Sequence, residues 1–225
     1  QAARHFLAAG RNAAAKQQAM DAARFALSLG AVRERATALS LALGTSEVFD
    51  LDLAADLGAC QLELREFEDV ESVCRTADRQ QPPGELRADF TYLRIASDYF
   101  AGCVRHPALM TRLQDLVSTQ PRFRFGVAAR TLLMRLACRS GNQSLGLRTA
   151  RELRRVLRSA GNDSSGHALL ALAYVASKYY SPPRAIPMLR LAIEKAKSSN
   201  DLGLEHLCRS GLCAVYRQSG EYARS

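Results

Sequence analysis

Breaks between helical patterns recur along this chain at near-constant spacing, and that register limits its fold more than any single motif. Arg65-Glu66-Phe67, Gly102-Cys103-Val104, Gly141-Asn142-Gln143, Tyr180-Ser181-Pro182 and Gly220-Glu221-Tyr222 fall where one pattern stops and another starts, at steps of 37, 39, 39 and 40 residues. A repeat of that length is one helical hairpin. A lone hairpin cannot bury its own apolar face, so copies must stack, each neighbour supplying part of the core. The fold class this predicts is all-α: a right-handed α-α superhelix, a solenoid of antiparallel hairpins.

The patterns between the breaks are helical. Leu147, Ala150, Leu153 and Leu157 recur at steps of three and four and form one apolar stripe. Leu86, Phe90, Leu93 and Tyr99 do the same, as do Leu204, Leu207, Leu212, Val215 and Tyr216. First helices are expected near 48–64, 84–101, 122–140, 163–179 and 200–218, and second helices near 67–79, 107–119, 142–159 and 183–198. Gln81-Pro82-Pro83-Gly84 is a break, and Ser181-Pro182-Pro183 reads as a helix start. Pro187 should kink the following helix or delay its start. Asn162-Asp163-Ser164-Ser165 and Ser198-Ser199-Asn200-Asp201 supply turns and N-caps. Residues 1–45 form a divergent N-terminal helical segment with helices near 2–14 and 17–30 and an ambiguous stretch to Leu43; residues 46–225 hold the repeats.

With 48% hydrophobic residues, rich in Ala and Leu and without Trp, the composition favours helix over strand. No apolar run reaches the roughly 18 residues that a bilayer span needs, and no membrane role is expected. The six cysteines lie apart with no CxxC, so they read as buried free thiols suited to a reducing cytoplasm rather than as zinc ligands. The chain opens at Gln1 rather than Met and stops five residues after Gly220. It therefore reads as a segment of a longer protein whose last repeat is cut. The apolar stripe at 200–218 would then lack its covering helix, which predicts self-association through the C-terminal end.

Catalytic signatures are missing. His5, His106, His167 and His206 belong to different repeats, and there is no HExxH, GxSxG, Gly-rich phosphate loop or GK[ST]. Glu66, Glu68, Asp69 and Glu71 cluster at a helix start, where carboxylates favour the positive end of the helix dipole. No enzyme activity and no cofactor are expected.

Charge is uneven. Residues 1–80 hold 9 Lys+Arg against 12 Asp+Glu, whereas residues 103–160 hold twelve Arg against only Asp115 and Glu152. Arg148, Arg151, Arg155 and Arg158 follow steps of three, four and three, so they share a helix face opposite the Leu147 stripe. That face is the candidate basic interaction surface for an acidic protein. It is equally what a solvated face looks like in a chain where 27 of 31 basic residues are Arg. Nucleic acid is disfavoured because aromatics do not interleave with the arginines, Arg122-Phe123-Arg124-Phe125 excepted. That run reads as the anchor of a helix start, with Phe125 inward.

The stretch Leu212-Cys213-Ala214-Val215-Tyr216-Arg217-Gln218-Ser219-Gly220-Glu221-Tyr222 resembles the tetratricopeptide pattern, in which L-G-x-x-Y leads into G-D-Y, with Cys213 in place of the usual Gly. By that resemblance Ala185 and Ala192, Gly146 and Leu153, and Val70 and Ala77 occupy the small sites of second helices, while Pro107 departs from the pattern. The period exceeds the family's 34. This longer form resembles the helical arrays of bacterial signalling regulators such as the maltose-regulon activator and other STAND-type ATPases. The phrase from Ala3 to Ala15 looks like the beginning of such an array after an ATPase module. The likeness implies a nucleotide-binding domain and an output domain outside this sequence.

The function expected is a non-catalytic sensor or protein-interaction segment of a larger bacterial signalling or transcriptional regulator. It would engage a protein partner or a neighbouring domain of the same chain, with a small ligand in a concave face lined by first helices. The alternatives are a structural adaptor or oligomerisation scaffold and, as the lesser one, a nucleic-acid-binding helical repeat.

Overall fold

The computed structural model describes residues 2–159 and 166–220. Among them the chain is all-α, with no strand. It divides into two compact units, residues 1–124 and 125–225. The first holds α1 (Ala2–Ala8), α2 (Asn12–Ser28), α3 (Val32–Gly44), α4 (Leu51–Glu63), α5 (Phe67–Arg79), α6 (Gly84–Ala101) and α7 (His106–Thr119). The second holds α8 (Gly126–Arg139), α9 (Gln143–Ser159), α10 (Gly166–Tyr179), a 3₁₀ turn (Pro182–Ala185), α11 (Ile186–Ser198) and α12 (Leu202–Gln218). Within each unit, helices pack on their neighbours in sequence. First helices of adjacent hairpins also meet: α4 on α6 in the first unit, α8 on α10 and α10 on α12 in the second.

The register has a backbone cause. After α4 the Glu66 N–H donates to the Gln61 carbonyl at 2.9 Å, a bond spanning five residues. The same bond recurs from Cys103 to Asp98 (3.1 Å), Asn142 to Ala137 (2.9 Å) and Ser181 to Ala176 (3.1 Å). This Schellman closure gives the orphan carbonyls of a helix end their donors, and it asks the intervening residue for a left-handed backbone. Arg65, Gly102 and Gly141 adopt it, with φ of 64°, 71° and 75°, whereas Tyr180 closes its turn without a positive φ. The motif also appears before the expected array. Ala31 donates to the Ala26 carbonyl at 2.9 Å across Gly30 at φ 67°. Thus α2 and α3 form a hairpin of the same kind.

Most expected helices appear within a few residues of their predicted bounds, and the differences have local reasons. The first break falls at Gly10-Arg11, where Gly10 takes φ 69°, rather than near residue 15. The ambiguous stretch to Leu43 is one regular helix, α3. Asp50 caps α4 by accepting from Leu53 N–H at 3.2 Å, which sets that start at Leu51 rather than residue 48. The helix expected from residue 122 starts at Gly126. Pro187 delays its helix rather than kinking it: a 3₁₀ turn precedes α11, and Pro187 sits in the first turn, where its missing N–H has no partner to lose. Asp201 caps α12 through Leu204 N–H at 2.9 Å, as the Ser-Ser-Asn-Asp run predicts. The Asn162–Ser165 turn and Glu221-Tyr222 lie outside the described residues.

The core is small-residue rich. Ala19 and Ala23 of α2, Ala36 and Leu39 of α3, and Leu53 and Leu57 of α4 share one cluster. Residues on both sides of the expected 45/46 boundary share this cluster, and the chain's compact units meet at 124/125. In the second unit, Leu153 and Leu157 pack with Leu172 and Val175, while Leu189 and Ala192 pack with Leu204 and Val215. Met188 touches both clusters and joins successive hairpins. Val70, Ala77, Ala185 and Ala192 are fully buried, and a Cβ on Gly146 would stand 3.3 Å from Cys138 Sγ.

Candidate interaction surfaces

α9 has one strongly amphipathic face pair. Ala150, Leu153 and Leu157 are buried and Leu147 is partly buried, while Arg148, Arg151, Arg155 and Arg158 are all exposed. Helical spacing thus brings the four predicted arginines to one open face. Arg151 Nε reaches only its own helix, the Leu147 carbonyl at 3.4 Å. Among the described residues, none of the four forms an ion pair with a carboxylate.

The two units also differ in charge. The first unit holds 15 Lys+Arg and 16 Asp+Glu, the second 16 and 6. In the first, Lys16 pairs with Asp50 (3.2 Å), Arg94 with Glu71 (3.1 Å) and Asp78 (2.7 Å), and Arg112 with Asp98 (2.5 Å). In the second, Arg209 pairs with Glu205 at 2.6 Å. Two of its cations have hydrogen-bond partners on the backbone. Arg130 of α8 is buried, donates to the Gly126 carbonyl at 2.9 Å and has its pKa lowered by burial against the opposing field of Glu152. Lys178 Nζ donates to the Cys138 carbonyl at the end of α8, at 2.5 Å.

Sequence reasoning missed a second cluster. Arg124, expected only to help anchor a helix start, reaches back to α4 and α6. It pairs with Asp52 of α4, with Asp56 Oδ1 at 3.2 Å and, through Nε, with the buried Asp89 of α6 at 4.0 Å. Asp52 and Asp56 are four residues apart on α4, which is a legible shared face, but nothing local ties that face to an arginine some seventy residues on. Phe125, the expected inward anchor, is half-buried at the N-cap of α8.

The remaining reactive groups are dispersed. Burial pushes the Cys74 thiol up to about 12 and the Cys60 thiol up to about 11. Cys138 and Cys208 are buried and raised by the same cause, and Cys103 is exposed. The four histidines are exposed on α1, α7, α10 and α12. Among the described residues no group of three His, Cys, Asp or Glu side chains is placed to hold a metal ion. No helix among them is long and apolar enough to cross a membrane. Of the Tyr pair, Tyr179 packs onto the preceding hairpin beside Cys138, whereas Tyr180 is exposed.

At the C-terminal end, Leu204, Val215 and Tyr216 are buried and Leu212 packs partly buried on the α10–α11 core. Only Leu207 of the predicted stripe stays open, at 53% exposure. Most of the stripe expected to be sticky is covered from within by α10 and α11. No protein-family model and no curated protein matches the chain.

Proposed function

We propose that this chain is a non-catalytic sensor or protein-interaction segment of a larger bacterial signalling or transcriptional regulator, working in the cytoplasm. Its second unit engages an acidic partner, either another protein or a neighbouring domain of the same chain. The observation that carries this reading is the open arginine face of α9, whose four guanidinium groups have no carboxylate partner among the described residues, in a unit of strong positive charge. Exposed, unpaired cations of one sign attract an acidic surface at long range and align it on approach. The buried, high-pKa thiols and scattered histidines support a binding role over catalysis.

The test is a titration of the chain with a fluorescein-labelled 12-residue Asp/Glu-rich peptide and, separately, with duplex DNA. The peptide should bind, and the double change Arg148→Glu with Arg155→Glu should weaken it by about tenfold or more. A tighter DNA complex whose affinity falls steeply with salt would favour a nucleic-acid partner. Peptide binding indifferent to the charge reversal would remove α9 as the surface.

A further inference from the structure

The first unit contains a groove that the charge argument does not use. α3 and α5 both pack on α4, and residues of α1, α3, α4 and the start of α5 line a space of about 640 Å³. α4 contributes Leu57 and Gln61 together with its C-cap Leu64, and α3 contributes Arg33, Ser40 and Leu41. Arg4 comes from α1, and Glu66 and Asp69 from the start of α5. The size falls within the range of small-molecule sites.

Three features of the lining point to a ligand. First, the Gln61 side-chain oxygen is buried and has no hydrogen-bond partner. A buried amide oxygen left without a donor is costly, and such groups in folded proteins call for one. Second, the groove carries two cations, Arg4 and Arg33, and two carboxylates, Glu66 and Asp69. None of the four forms an ion pair among the described residues, so their charges are open to a ligand. Third, Leu41, Leu57 and Leu64 give the same groove an apolar lining. A ligand that satisfies all three has a negative end, a positive end, an N–H donor and aliphatic bulk.

We propose that this groove is a binding site for a short peptide with free termini. Its carboxylate meets the guanidinium groups of Arg4 and Arg33, which suit planar, two-pronged recognition. Its ammonium meets Glu66 and Asp69. A backbone N–H of the peptide donates to Gln61 Oε1, and its aliphatic side chains cover Leu41, Leu57 and Leu64. The site lies in the first unit and stands independently of the acidic-partner surface on α9.

Isothermal titration of the full chain with trileucine, trialanine and Leu-Phe-Leu tests the proposal. Saturable one-to-one binding is expected, weakened by about tenfold or more when the probe is N-acetylated or C-amidated, since each cap deletes one charge-assisted contact. Arg33→Ala and Asp69→Asn, both at exposed positions, should give a similar loss with an unchanged far-ultraviolet spectrum. Gln61→Met should weaken the peptide while raising the melting temperature of the free chain, because it removes the orphaned oxygen at nearly constant volume. No binding by any of the three peptides up to about millimolar concentration, or binding indifferent to both caps and to Arg33→Ala, overturns the site. A higher melting temperature in Gln61→Met without loss of peptide affinity means that Gln61 takes no part in binding and overturns its assigned role.

Discussion

Arg124 Nη1 stands 3.2 Å from Asp56 Oδ1, joining the last residue of the first unit to a helix 68 residues earlier. The same guanidinium also touches Asp52 and faces the buried Asp89. Removing it would take a shared cation from all three carboxylates, although Asp56 keeps Arg35 at 3.9 Å. Arg124→Ala should therefore destabilise the first unit by about 1–2 kcal/mol, with the deficit shrinking at high salt as the surviving repulsion is screened. Arg124→Lys should recover only part of it, because an ammonium cannot fork between two carboxylates. Urea denaturation at low and high salt gives both answers. An Arg124→Ala chain as stable as the parent at low salt would show the cluster to be energetically idle.

The inter-helix turns make a second prediction. Gly102 and Gly141 take left-handed backbones with nothing within 4 Å of an added Cβ. Alanine there pays for conformation alone, about 1 kcal/mol at each site. Gly44, at a helix end with an ordinary φ and equally open surroundings, should accept alanine at no cost or with a slight gain. Melting curves of the three variants separate backbone strain from crowding, and equal costs at all three positions would contradict the assignment.

Much of the fold was legible because the turn is a local motif. A helix end needs a left-handed residue, glycine supplies it cheaply, and Gly102 and Gly141 mark the register directly in the sequence. Arg65 hides the same turn behind a side chain, which the structure lays over Phe100 at 4.4 Å. The α9 face was legible for a similar reason: helical period and residue type suffice to place Arg148, Arg151, Arg155 and Arg158. The groove of the first unit was not. Its residues come from four elements, and the feature that distinguishes it, an amide oxygen of Gln61 left without a donor, exists only once those elements are packed. The Arg124 cluster failed to show for the same reason, since Asp89 and Asp52 are unremarkable helix residues until tertiary contacts bring them together.

The thiols give a pH prediction with a definite sign. Burial raises Cys74 from its ordinary 9.0 to about 12, and Cys60 to about 11. Both are neutral in the folded chain across this interval, whereas the unfolded thiols ionise above 9.0. The unfolded state thus binds fewer protons from pH 9 upward, and stability falls with rising pH until the folded values are passed. Below pH 9 these groups contribute no slope. At pH 8 in native buffer, a disulfide-exchange reagent should label the exposed Cys103 quickly and leave Cys60, Cys74, Cys138 and Cys208 untouched until denaturant is added. Rapid native labelling of four or more thiols would contradict that burial.

The C-terminal hairpin offers the sharpest packing test. A Cβ built on Gly166 would lie 2.5 Å from Leu204 Cδ2, so the start of α10 and the start of α12 meet where an added methyl would require the leucine to shift. Leu204 is buried, and truncating it to alanine should cost about 2–4 kcal/mol in lost transfer energy and cavity. Gly166→Ala alone should cost about 1–3 kcal/mol, because α10 or the leucine must shift. In the double variant the clash is gone, and the new methyl enters space vacated by the leucine. The combined loss should then fall below the sum of the single losses by about 1 kcal/mol or more, the signature of direct contact. Leu207 is the control. It lies one turn further along α12 with its side chain in solvent, so Leu207→Glu should leave stability within about 0.5 kcal/mol of the parent. Since α10 and α11 already cover the buried side of α12, light scattering should find the association state of Leu207→Glu unchanged. A drop in molecular mass on that substitution would instead show that copies associate through the exposed remnant of the stripe, and strict additivity of Gly166→Ala and Leu204→Ala would separate the two side chains.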